Sequence, residues 1–202
     1  MSRDIESLTH VQEKLGELYQ KLQDSLNADT PIVVICGPAK CDDGLCDVCD
    51  QERKDECFYH ERIVLKQCLR AENCLPVLFE EDFDLVIASL EETILLREDE
   101  VEKVIVIPAS EGSAAELAQF TRDPKIRPKL VVLVPYQYHP WYSEKGSFLT
   151  SLYMEIMGVV GHIYPYDRTG DKHPKASEIV ITLMRSYRLN KLASTMYDNA
   201  GQ

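Results

Sequence analysis

One carboxylate, Glu116, stands on a segment of small and apolar residues, with Ala114, Ala115, Leu117, Ala118 and Phe120 around it and a polar turn just before it. The run from 104 to 120 reads VIVIPASEGSAAELAQF: an apolar strand, a turn holding Ser110, Gly112 and Ser113, then a helix. A carboxylate held over a hydroxyl-lined turn could attack the anomeric carbon of a ribose whose phosphate rests on the turn amides. Two structural readings stand beside this one. Ser110 or Ser113 can cap the helix without touching a ligand, and an acid near a helix N-terminus is favoured by the dipole by roughly 0.3 to 1 kcal/mol.

Two further turns carry polar chemistry. The stretch CGPAK follows the apolar run PIVVIC and contains Gly37 and Pro38, while EEDFD follows the run CLPVLF and contains Glu81 and Asp82. Gly and small hydroxyl residues let a backbone approach a phosphate or sugar closely, but a Gly-Pro pair is also ordinary turn chemistry that permits a sharp exit from a strand. Glu81 or Asp82 would be a candidate general acid for a departing base, and the sequence does not choose between them.

Cys41, Cys46, Cys49 and Cys57 are spaced C-x4-C-x2-C-x7-C, close enough for a structural zinc, although only one C-x2-C is present where the specific pattern has two. A redox-sensitive loop and an inert one are the competing readings. Cys36, Cys68 and Cys74 fall on apolar positions and read as packing residues. The five His show no paired spacing, so no catalytic metal centre and no required cofactor are expected. Tyr136, Tyr138, Trp141 and Tyr142 crowd one stretch after an apolar strand, where they could stack on a base or form a packed cover or subunit contact.

The elements that must position these residues follow from periodicity. Ile5, Leu8, Val11, Leu15, Leu18, Leu22 and Leu26 recur at helical spacing, which predicts an N-terminal amphipathic helix within 1–28. Apolar, β-branched strands are then expected at PIVVICGP, CLPVLFEED, VEKVIVIPAS, PKLVVLVPY and, more weakly, GHIYPYD. Helices are expected over 52–71, 84–98, 113–122 and 149–160, with a last one just after Pro174. Alternation of this kind predicts an α/β, Rossmann-like domain: about five mostly parallel strands, helices on both faces, and an extra N-terminal helix. Ligands in such a sheet lie outside the carboxyl ends of the strands, the edge to which the three polar turns belong.

Composition bounds the rest. With 202 residues and 45% hydrophobic content, a single domain spanning 1–202 is expected, with a Cys-rich loop at 37–58. No apolar run approaches a membrane span and the N-terminus lacks a secretory signal, so a cytoplasmic protein with reduced thiols is expected. A net charge of -12 disfavours duplex nucleic acid as a partner.

Taken together, CGP after the first strand, an Arg in HERIVLKQCL, VLFEED after the second strand and above all VIVIPASEGSAAELAQF resemble the nucleoside 2-deoxyribosyltransferase-like superfamily, over roughly residues 31 to 135. That group includes deoxynucleoside monophosphate N-glycosidases and nucleotide-degrading effectors of bacterial antiphage systems. The resemblance implies Glu116 as nucleophile, and Gly37, Pro38, Ser110, Gly112 and Ser113 as ligand-facing turn residues. It also implies Arg62 as a phosphate partner, although an Arg on such a helix can equally be a solvated surface residue. Departures exist. The family's acid before the third strand is matched only loosely by Asp99 or Glu102, and Ala118 replaces a frequent Gly. The implied activity is cleavage of a nucleotide or nucleoside N-glycosidic bond. A non-catalytic nucleotide-sensing or partner-binding module and an NAD hydrolase are the alternatives. A homo-oligomer, and a place in a defence complex, are the implied assemblies.

Overall fold

The computed structural model describes residues 30–38, 57–83, 88–143 and 148–200. Five strands are present: β1 (Ile32–Cys36), β2 (Leu75–Val77), β3 (Val101–Val106), β4 (Leu130–Pro135) and β5 (Tyr164–Tyr166). They form one sheet of order β2-β1-β3-β4-β5 in which each neighbouring pair is parallel. The described helices are α1 (Phe58–Ala71), α2 (Phe79–Asp82), α3 (Ala88–Arg97), α4 (Glu111–Phe120), α5 (Phe148–Val160) and α6 (Ala176–Ala200). The expected α/β architecture with a parallel sheet is thus present. The predicted helix within 1–28 and most of the Cys-rich loop lie outside the described residues.

Alternation along the strands divides the core into two layers. Val34, Cys36, Val104, Val106, Val132 and Val134 face Leu95 and Leu96 of α3, Leu117 and Phe120 of α4, and Tyr153 and Ile156 of α5. Val33, Ile35, Ile105, Ile107 and Leu133 face Leu65 and Leu69 of α1 and Ala176, Val180 and Met184 of α6. A strand covered on both faces needs apolar residues at successive positions, which is why β1 is buried throughout as IVVIC. Each fully buried Leu, Ile or Val contributes about 1.5–3 kcal/mol of transfer free energy, and this places α1 and α6 on one face and α3, α4 and α5 on the other.

Two local departures from the sequence reading have physical causes. In CLPVLFEED the strand stops at Val77 and the acids curl into α2. The Asp82 carboxylate accepts the Leu78 amide at 2.7 Å and closes that turn. Pro76 is tolerated because β2 is an edge strand. Helix α4 starts at Glu111, two residues earlier than expected, because Ser110 takes an extended conformation and acts as its N-cap.

The later part of α6 is tied to the α1–β2 turn and to the start of the central strand β3. Arg185 pairs with Glu72 at 2.5 Å, Lys191 with Glu102 at 2.8 Å, and Lys103 lies 5.1 Å from the Tyr187 ring centre. Among the described residues, no helix is long and apolar enough to cross a membrane.

Candidate active site

The strand order reverses between β1 and β3: the chain steps from β1 outward to β2, then returns to the other side of β1. The crevice outside the carboxyl ends of these two strands is where parallel sheets of this kind bind ligands. Gly37 leaves β1 there, and Ile107 to Ser110 leave β3 beside it, joined by the Ile107 amide donating to the Cys36 carbonyl at 3.0 Å. A Cβ at Gly37 would come within 3.1 Å of both the Ile107 carbonyl oxygen and Arg62 Cδ. The glycine is therefore required by the packing of the two strand exits, whatever the ligand.

Arg62 projects from α1 and is 2% exposed. One terminal nitrogen donates to the Pro38 carbonyl at 2.7 Å and, at 3.4 Å, to that of Gly37; the other donates to Ile35 O at 3.0 Å and to Glu80 at 2.9 Å. Glu80 forms a second, closer contact with the same guanidinium. The next two acids of α2 face a different cation. Lys66 Nζ lies 2.9 Å from Glu81 and 2.8 Å from Asp82, and the Tyr59 hydroxyl donates to Glu81 at 2.6 Å. The Tyr59 bond and then Lys66 hold the Glu81 carboxyl below the usual range, while burial and the Glu81 partner push the Tyr59 hydroxyl up. Glu81 and Asp82 are thus struts of the α1–α2 contact through Lys66.

On the β3 side, Ser110 and Ser113 form a reciprocal capping box. The Ser113 amide donates to Ser110 Oγ at 3.2 Å and the Ser110 amide donates to Ser113 Oγ at 2.9 Å. Ser113 Oγ also donates to the Ser110 carbonyl at 3.0 Å, so this buried hydroxyl is spent within the turn. Gly112 is exposed on the first turn of α4, with only Ser110 Oγ, 4.0 Å from an ideal Cβ, close by. The Tyr153 hydroxyl, from α5, donates to Pro108 O at 2.5 Å and fixes the approach to this turn.

Glu116 lies two turns along α4 and is half-buried. Burial raises its pKa, the Arg62 charge opposes that rise, and Glu80 adds to it. Glu92 of α3, also half-buried, is pushed up to about 7 by burial and then by the charges of Glu116 and Glu80, with Arg62 again opposing. Cys36, at the end of β1, feels the same four groups. Its thiol is raised well above the ordinary value by burial and then by Glu92, so it stays protonated. Glu80 therefore contacts the Arg62 guanidinium directly, while Glu92 and Glu116 feel its charge without a hydrogen bond or ion pair to it among the described residues. Both half-buried carboxyls are thus raised, Glu92 the further of the two because the Glu116 and Glu80 charges add to its burial.

The structure brings Gly37, Pro38, Arg62, Ser110, Gly112, Ser113 and Glu116 to one edge of the sheet. Glu81 and Asp82 are directed into the Lys66 pair. Asp99 and Glu102 fall at the start of β3, the far end of that strand from Ile107, where Glu102 meets Lys191. Glu92 and Glu80 were not singled out by sequence. A signal for Glu92 did exist: it precedes the buried pair Leu95 and Leu96 at three- and four-residue spacing, which puts it on the inward side of α3. Cys41, Cys46 and Cys49 lie outside the described residues, while Cys57 is buried at the N-cap position of α1. The aromatic stretch after β4 leaves Tyr138, Trp141 and Tyr142 exposed, with His139 buried among them.

No curated protein matches the sequence significantly. A family model does match, over residues 53–151, a span that contains Arg62, Glu80, Glu92, Ser110, Ser113 and Glu116. Over that span the chain is similar to the family described as STM3845 retron effector protein.

Proposed function

We propose that this chain is an antiphage effector that cleaves the N-glycosidic bond of a nucleotide or nucleoside, with Glu116 as nucleophile and Glu92 as proton donor to the departing base. The similarity to a retron effector family supports the defence role. What supports the chemistry is the placement of Glu116 on α4, half-buried behind the Ser110–Ser113 turn that leaves β3, with a second half-buried acid, Glu92, on α3; burial raises both carboxyls, Glu92 to about 7, and Arg62 opposes the rise in each.

In the first step a Glu116 carboxylate oxygen bonds to C1′ and the C1′–N bond breaks. Its electron pair passes to the base nitrogen, which takes the Glu92 proton. Water then attacks C1′, returns a proton to Glu92 and releases Glu116, so two easier displacements replace one difficult one. The exposed first-turn amides of α4 at Glu111 and Gly112 are suited to an anionic group on the sugar.

Mass spectrometry of a nucleotide pool before and after incubation tests the reading. Free base should accumulate with the wild type and fall by about a thousandfold or more with Glu116→Gln, while ligand binding persists. Nucleotide affinity with no free base from the wild type would instead identify a sensing module, and release of nicotinamide alone would identify an NAD hydrolase.

A further inference from the structure

Arg62 is 2% exposed, and its two terminal nitrogens are occupied by three main-chain carbonyls, of Ile35, Gly37 and Pro38, and by Glu80. Its remaining donor, Nε, is buried and has no hydrogen-bond partner among the described residues. A guanidinium spent in this way has no fork left to offer a phosphate. What it does hold is geometry. The carbonyls of the β1 exit and the α2 carboxylate are all turned toward it, and Gly37 packs directly on its Cδ.

Of the neighbouring charges, Arg62 from α1 lowers the Glu116 pKa and Glu80 from α2 raises it, and Glu92 of α3 and the Cys36 thiol of β1 are raised in turn by Glu116 and Glu80. Arg62 is the cation among them.

We propose that Arg62 is a positioning residue of this site: it draws the carbonyls of Ile35, Gly37 and Pro38 and the Glu80 carboxylate inward, supplies the fixed counter-charge for Glu92 and Glu116, and does not contact the ligand. The inference rests on the N-glycosidase reading only for its kinetic consequences. The placement can be tested without turnover.

The experiment is a carboxyl carbon NMR titration of Glu116 in the wild type, Arg62→Met and Arg62→Lys, with the resonance assigned by its loss in Glu116→Gln. The same proteins are assayed for base release from a nucleoside 5′-monophosphate and from the matching nucleoside. The Glu116 midpoint should rise by about one pH unit in Arg62→Met and by less in Arg62→Lys, which keeps the charge. Lys cannot hold three carbonyls and a carboxylate together, so Arg62→Lys should lose about tenfold in kcat with KM nearly unchanged for both substrates. If Arg62→Met does not fold, Arg62→Lys still decides. An unmoved kcat and midpoint in that variant overturn the proposal, as does a KM increase of about tenfold confined to the phosphorylated substrate, which would make Arg62 a phosphate ligand. A wild type that releases no base overturns the catalytic reading alone, because the titration still reports whether Arg62 governs Glu116.

Discussion

In the proposed reaction Glu116 attacks and Glu92 donates a proton, and the shift of each carboxyl comes from its surroundings. Glu92 is raised from 4.5 to about 7, so the folded state binds its proton more tightly than the unfolded chain does. Its stabilising effect is therefore complete below about pH 4.5 and is lost as pH rises through 7. Glu92→Gln removes a half-buried carboxylate that is ionised above neutrality. It should stabilise the fold at pH 8 by on the order of 1–2 kcal/mol after allowance for solvent screening, with little difference near pH 4. Thermal melts of both proteins across that range check the sign. In the activity profile, base release by the wild type should fall as pH rises through about 7, and Glu92→Gln should be slow throughout and lack that alkaline limb.

The turns before α4 and after β1 place these residues, and each has its own weak point. Loss of the reciprocal cap in Ser113→Ala should cost about 1 kcal/mol of stability. Because the hydroxyl is spent on the turn, calorimetric titration should show nucleoside and nucleotide weakened equally; selective loss of the phosphorylated ligand would make Ser113 a phosphate contact. Gly37→Ala drives a methyl to within 3.1 Å of the Ile107 carbonyl and the Arg62 stem, so chemical denaturation should show a loss of about 1–3 kcal/mol. In Tyr153→Phe the Pro108 carbonyl loses its 2.5 Å partner in a buried setting, at a cost of about 1–3 kcal/mol by the same measurement.

At the scale of the molecule, the site lies where two layers meet. Arg62 arrives from the α1 face of the sheet, and Glu92 and Glu116 from the α3 and α4 face. The homo-oligomer implied by the sequence resemblance is tested by sedimentation of the active protein, which should then run above the monomer mass of 23.1 kDa. A fully active monomer would reject that assembly. The exposed Tyr138, Trp141 and Tyr142, on the loop leaving β4, are the residues whose substitution by Ala should shift that equilibrium if this loop is the contact.

What the sequence determined by itself was whatever depends on neighbours along the chain. Five apolar β-branched runs alternating with helical stripes specify a parallel α/β sheet, because an unbroken apolar strand must be covered on both faces. The turn at Ser110 and Ser113 was legible as a cap because its partners are three residues apart. The isolation of Glu116 on a small-residue helix was legible for the same reason. The hydrogen bonds of Arg62 to the β1 exit and Glu80, and the diversion of Glu81 and Asp82 to Lys66, were decided only by the tertiary structure. Each depends on which helix covers which face and on which side chain meets a partner 15 to 27 positions away, as Lys66 meets Glu81 and Arg62 meets the Ile35 carbonyl. Desolvation and charge pairing act through space, so one-dimensional spacing does not encode them.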